Sequence, residues 1–212
     1  MYIYIIIIKD MKNLVTILLV LVTFSLSAQT ELEDKMTIEI NKLRANPKSF
    51  IPHVEKYIML NEKTIDRIKS GKCKVTSSNG SGVNVINERI YAANELISEL
   101  NSIESLDTIV FNVDMYLITK NHAKYLDTNN KFTHKDSIGN RSYERFKSLN
   151  LDVTENLVSV GFSKDKVTPM LLSLLVDAGI ENRGHRKNLL ADDIRFISVA
   201  IVGKVCVQNF AN

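Results

Sequence analysis

The strongest constraint on this fold lies near the carboxy terminus. Residues 196–202 and 205–210 are two apolar, β-rich runs, and only Gly203-Lys204 separates them. A two-residue connection with glycine first closes a tight antiparallel hairpin, because the turns that match strand twist need positive φ. Most of the remaining chain reads with a helical period. Leu32, Met36, Ile40 and Leu43 make one stripe, and Asn46-Pro47 stops it and opens a second, short helix carrying Phe50, Ile51, Val54 and Tyr57. Residues 71–84 are rich in Gly and Ser and read as a loop. Ile90, Ala93, Ile97 and Leu100 mark a third helix, and Met115, Ile118, His122 and Tyr125 mark a fourth over 113–127. Residues 128–151 are polar and irregular, and 156–160 are extended. Thr168-Pro169 caps a helix through Met170, Leu171, Leu174, Leu175 and Asp177, which Gly179 ends in a left-handed conformation. Helices segregated from a small antiparallel sheet make the expected class α+β.

Residues 1–28 stand apart from this pattern. Met11-Lys12-Asn13 is a short basic start, residues 14–24 are apolar except Thr16 and Thr23, and Ser25-Leu26-Ser27-Ala28 supplies small residues for cleavage. This is the pattern of a secretory signal peptide, with Met11 as the natural start. The apolar run is too short to cross a bilayer, which needs about 20 residues. The expected product is a single domain over 29–212, secreted or periplasmic, with no stable membrane span. Cys73 and Cys206 are the only cysteines. An oxidising space permits a bridge between them, while Cys206 between Val205 and Val207 equally suits a buried small hydrophobe. With 27 basic and 24 acidic residues well mixed and a net charge of +3, no basic stripe points to nucleic acid.

The chemistry-bearing residues are few. Of four histidines, His134 follows Phe132-Thr133 in a polar stretch and His185 lies in the polar Arg183-Gly184-His185-Arg186 segment. Neither is on an apolar stripe, so each is a candidate for binding or catalysis. His122 is on a helix that must pack and reads as structural, and His53 has no assigned role. Asp177 falls in the last turn of its helix, where the carbonyls already carry partial negative charge. Either Asp177 simply points to water, or a cationic neighbour offsets it: an arginine, an imidazolium or a metal.

In this order, Phe132-Thr133-His134, Gly139, Arg145, Glu155-Asn156-Leu157, the Gly-His-Arg-Lys-Asn-Leu-Leu run of 184–190 and the final hairpin resemble the CAP superfamily. This is the group of cysteine-rich secretory proteins, antigen 5 and plant pathogenesis-related proteins, here in its bacterial SCP-domain branch. Asn41-x-x-Arg44-x-x-Pro47 also fits, and the resemblance spans essentially all of 31–210. It implies a three-layer α-β-α sandwich, an antiparallel sheet between helices, and an open cleft with two histidines and two acids: His134, Glu155, Asp177 and His185. The chain departs from the family at Leu174 (usually Trp), Asp177 (usually Glu) and Thr154 (usually Gly).

Two imidazoles and two carboxylates suit zinc or another divalent cation, with His134 and His185 as ligands beside Glu155 and Asp177. Without metal, their charges compensate one another. Three readings follow. One is a secreted, non-enzymatic binding module whose cleft takes a lipid, sterol or peptide. A second is a metal-dependent extracellular hydrolase; Ser142, about eight residues past His134, and Ser173, on an apolar helix, form no nucleophile motif. A third is a structural extracellular domain whose tetrad ties helices to sheet. Ligand, metal, disulfide and oligomeric state are left open by the sequence.

Overall fold

A computed structural model describes residues 29–77, 80–161 and 166–212, so the signal-peptide and start-site expectations lie outside the described residues. The first stripe forms α1 (Glu31–Ala45), with Glu31, Glu33 and Asp34 in its first turn and Lys42 and Arg44 in its last, as the helix dipole favours. A 3-10 turn (Pro47–Phe50) leads into α2 (Ile51–Lys69). This helix is longer than the short one expected, because Pro52 sits in the first turn, where a missing N–H costs nothing, and no breaker follows before Gly71. The Gly/Ser segment contains two short paired strands, β1 (Thr76–Ser77) and β2 (Gly80–Ser81). Next come α3 (Val83–Ser102), the short β3 (Val110–Phe111) and α4 (Val113–Thr128). Asn112 caps α4, its Oδ1 accepting from the N–H groups of Asp114 and Met115, both at 3.0 Å. The irregular stretch holds α5 (Ser142–Arg145) before β4 (Val153–Ser159). Then follow α6 (Val167–Val176), α7 (Gly184–Leu190), β5 (Phe196–Val202) and β6 (Val205–Ala211). Helix α6 starts one residue ahead of the expected Thr168-Pro169 cap, placing Pro169 inside the first turn.

The larger sheet has the order β3-β5-β6-β4. The hairpin β5–β6 pairs antiparallel with Val202 opposite Val205, and β4 pairs antiparallel with β6 over its whole length. The unforeseen β3 joins β5 in parallel. At the hairpin turn Gly203 has φ 53°, and an added Cβ would strike the carboxylate of Asp127, which accepts from the Lys204 N–H at 2.9 Å. That contact fastens the end of α4 to the turn.

Alternation along the strands divides the molecule into three layers. Leu157, Ala200, Val205 and Val207 face Tyr116, Ala123 and Leu126 of α4. Val158, Ile197, Val199, Cys206 and Phe210 face the larger core with Met36, Ile40 and Leu43 of α1, Leu96 of α3 and Leu171, Leu174 and Leu175 of α6. The expected α-β-α sandwich is therefore present, and Glu31–Asn212 forms one compact unit. The Asn41-x-x-Arg44 spacing puts two polar side chains one turn apart on α1. Asn41 exchanges two hydrogen bonds with the backbone of Ile109 (2.8 and 2.9 Å), and the fully buried Arg44 donates to the carbonyls of Asp107, Leu189 and Ala191. Both cysteines are free thiols; Cys206 is in the core, where burial raises its pKa.

Candidate functional site

Strand β4 is an edge strand, and its Glu-Asn dipeptide points to opposite faces. Glu155 lies across from Asn209 on β6, which in turn lies across from Ser198 on β5. On that face Thr119 of α4 donates to Asn209 Oδ1 (3.0 Å), and Asn209 Nδ2 donates to Glu155 Oε2 (3.2 Å). Asn156 points the other way. Its Nδ2 donates to the His185 carbonyl (3.2 Å) and its Oδ1 accepts from Asn188 (2.8 Å), so one residue pair anchors both halves of the site.

All four sequence-predicted residues gather here, as two acid–imidazole pairs. His134 Nδ1 lies 3.0 Å from Glu155 Oε1, and His185 Nδ1 lies 2.7 Å from Asp177 Oδ1. Asp177 Oδ2 also accepts the His185 backbone N–H at 2.9 Å. The carboxylates are buried, with side chains 2% and 4% exposed, whereas the imidazoles are 45% and 23% exposed. The two rings are nearly parallel, with centroids 6.4 Å apart. Each ring uses Nδ1 to hold its carboxylate, which leaves Nε2 as the nitrogen a visitor meets. Among the described residues, no group of three or more His, Cys, Asp or Glu is arranged as a metal cage.

Burial by itself would raise the Glu155 pKa. The His134 hydrogen bond, the charges of Arg145 and His122, and the Asn209 hydrogen bond outweigh that effect and hold it below the usual carboxylate value. Arg145 makes the closest contact, from Nη2 to Glu155 Oε2, and its Nη1 donates to the carbonyls of His134 (2.9 Å) and Asn140 (3.0 Å). His122 reads as structural from the sequence, and its side chain is fully buried. Its Nε2 is 3.7 Å from Glu155 Oε1, beyond hydrogen-bond reach, and burial lowers its pKa.

The structure corrects the local setting of Asp177 and His185. Asp177 is not in the last turn of α6 but is its left-handed C-cap, with φ 51°. A short polar side chain tolerates that conformation, so Asp177 caps α6, and Gly179, two residues on, has the expected left-handed conformation as well, at φ 82°. The cationic offset comes from two arginines that bind carbonyls rather than the carboxylate. Arg186 donates to Leu175 (2.6 Å) and Val176 (3.0 Å), and Arg183 donates to Asp177 (2.9 Å). Arg183 is itself left-handed, at φ 50°, and is clamped to Glu88 and Glu95 of α3. His185 is not in a loop but in the first turn of α7.

Two hollows adjoin the pairs, and His185 lines both. One, of about 550 Å³, is bounded by Tyr57, Arg89, Phe132, Leu172 and Asp177. The other, of about 330 Å³, holds His134, Glu155, Ile180 and Asn188. Phe132 and Ile180 are exposed apolar side chains at these rims. The Ser142 hydroxyl donates to the Val153 carbonyl (3.2 Å), away from either imidazole.

Comparison with known proteins gives structural likeness only. No family model matches the chain. No curated protein matches it. Among solved structures it is similar to an extracellular protein containing an SCP domain from Bacillus anthracis, at 20% identity and TM-score 0.42, over 60% of this chain and 38% of that one. It is similar to an outer surface protein from Borrelia burgdorferi at 17% identity and TM-score 0.43, over 66% of this chain and 97% of that one. A cysteine-rich secretory protein from Staphylococcus aureus matches at 14% identity and TM-score 0.37, over 59% and 38%. The chain thus spans well under half the length of the first and third of these.

Sequence reasoning named the four acid and imidazole residues but missed what orients them. Arg145 entered only as part of a resemblance, Arg183 only as a polar neighbour of His185, and Asn209 did not enter at all. Asn209 had a signal: beside Gln208, it is one of two polar residues in an otherwise apolar strand. Arg183 had none, because only the fold brings it against α3.

Proposed function

We propose that this protein is an exported binding module whose cleft takes an amphipathic ligand, a lipid, sterol or peptide, beside a pair of metal-competent histidines. The observation that carries the reading is the fixing of both imidazoles through Nδ1 by buried carboxylates, with both rings lining the smaller hollow and His185 lining the larger one too. A ligating histidine commonly gives its second nitrogen to a carboxylate in this way. His134 and His185 would hold the ion, with Glu155 and Asp177 as their supports. Two protein ligands leave coordination positions for a ligand or water, as in an open site rather than a closed structural one. A bound divalent ion, such as zinc, would supply a positive anchor for an oxygen or nitrogen donor of the ligand. The apolar wall of the larger hollow, with Phe132, Leu172 and Tyr57, suits a hydrocarbon portion, and Arg89 suits a polar end. No helix among the described residues is long and apolar enough to cross a membrane.

Thermal melts with added Zn²⁺ test the metal component. At about 100 times Kd, binding to the folded state alone stabilises by about 2.7 kcal/mol. Wild type is expected to melt higher with zinc, and His134→Ala and His185→Ala are expected not to respond. Identical melts with and without zinc in all three proteins leave the tetrad a structural tie and refute the metal reading. Lipid extraction and mass spectrometry of the purified protein test the cleft; a cleft without bound amphiphile, and no uptake of added fatty acid or sterol, refutes that component.

A further inference from the structure

A third hollow, of about 380 Å³, opens on the α4 side of Glu155 and shares no lining residue with the two described above. His122, Tyr125, Asp136, Asn140, Glu144 and Arg145 line it, with the exposed Asn121 at its mouth. Its deep end carries polar atoms without partners. Both ring nitrogens of His122 and Nε of Arg145 are buried with no hydrogen bond, although the side chains are only 0% and 6% exposed. The nearest polar neighbours of the ring, the Thr133 backbone and Glu155 at 3.7 Å from Nε2, make only long, weak contacts with it. Native interiors seldom leave three such atoms unsatisfied in one place unless something polar visits them.

We propose that this hollow is a second binding site, for a neutral polyhydroxyl ligand, a saccharide unit. Charge excludes an anion. Arg145 is already neutralised by Glu155, and Asp136 and Glu144 add two carboxylates, so an anion is repelled. At the deep end, the Arg145 Nε–H and one imidazole N–H are donors, and the second imidazole nitrogen is an acceptor. At the rim the carboxylates are acceptors. Asp136 uses Oδ1 to hold the N–H groups of Ile138 (3.0 Å) and Asn140 (2.9 Å), and Glu144 uses Oε2 to hold that of Arg141 (2.8 Å). One oxygen of each remains for a ligand. Donors with an acceptor inside, and acceptors outside, call for groups that accept and donate together, which is what hydroxyls do. The Tyr125 ring, nearly parallel to His122 with centroids 6.3 Å apart, offers a flat wall for the C–H face of a sugar ring.

Saturation-transfer NMR on the whole chain tests this, using neutral methyl glycosides of glucose, galactose, mannose and N-acetylglucosamine against the matching uronic acids. Transfer to at least one neutral glycoside is expected, together with a shift of the His122 side-chain ¹⁵N resonances. Asn121→Trp blocks the mouth from an exposed position, so the fold should survive, and it should weaken binding about ten-fold or more. His122→Phe, which removes the inner donor, should abolish it. Hollows filled by water alone would give no transfer to any neutral glycoside, and that overturns the proposal. So does equal binding of the uronates, or transfer that Asn121→Trp leaves undiminished.

Discussion

Arg145→Met should be among the most damaging single changes near the site, and its cost follows from the contacts. Arg145 and Glu155 form an ion pair with side chains 6% and 2% exposed. Solvent therefore screens the pair little, and removing the cation leaves a buried carboxylate. Breaking such a pair costs about 3–5 kcal/mol. The lost hydrogen bonds to the His134 and Asn140 carbonyls each add about 1 kcal/mol. Glu155→Gln in the same background removes the stranded charge, so the double variant should recover at least about 2 kcal/mol relative to Arg145→Met. Urea denaturation of wild type, both single variants and the double variant measures this. The pH dependence supplies an independent arm. Glu155 has a folded pKa below its ordinary 4.5. Its stabilising contribution is therefore fully present above that ordinary value and is lost as pH falls through the lowered one. Arg145→Met removes one cause of the lowering, so the gap between variant and wild type should narrow on acidification. The reasoning is refuted if Arg145→Met lies within about 1 kcal/mol of wild type at neutral pH, or if the double variant is no more stable than Arg145→Met.

Asp177→Asn keeps a side chain that tolerates the left-handed C-cap but removes the charge behind His185. Calorimetry should find zinc affinity about 10- to 100-fold weaker with little change in melting temperature; unchanged affinity would remove Asp177 as a support. Gly203→Ala drives a methyl group into the Asp127 carboxylate at a residue with positive φ. A loss of at least about 1 kcal/mol in chemical denaturation is expected, and a neutral result would mean the α4 end yields freely. Arg44→Met strands the carbonyls of Asp107, Leu189 and Ala191 in the interior. It should cost about 3 kcal/mol or more by the same measurement, and a smaller loss would show that water reaches them.

Local rules carried the reading of the chain a long way. Periodicity placed α1, α3, α4 and α6, because each has one face against the sheet or a neighbouring helix. The Gly203 turn located the hairpin. The two-residue β3 escaped notice, since a parallel pair that short leaves no pattern of its own. Helix α2 runs past Tyr57, the last residue of the expected short element, to Lys69, because no breaker follows Pro52 before Gly71. Asp177 was assigned to the wrong side of its helix end because Gly179 offered the more familiar left-handed residue.

What the sequence determined by itself was a mixed-class domain with its strands concentrated late in the chain, together with the polar residues available for a site. Backbone propensity and apolar spacing act over a few residues and can be read without coordinates. The tertiary structure alone decided that His134 meets Glu155 while His185 meets Asp177, that arginines bind the carbonyls at the end of α6, and that the His122 ring and the Arg145 Nε–H lie without a good hydrogen bond beside a hollow. Those facts depend on which side chains a folded sheet brings together from distant positions, and on how little water remains between them.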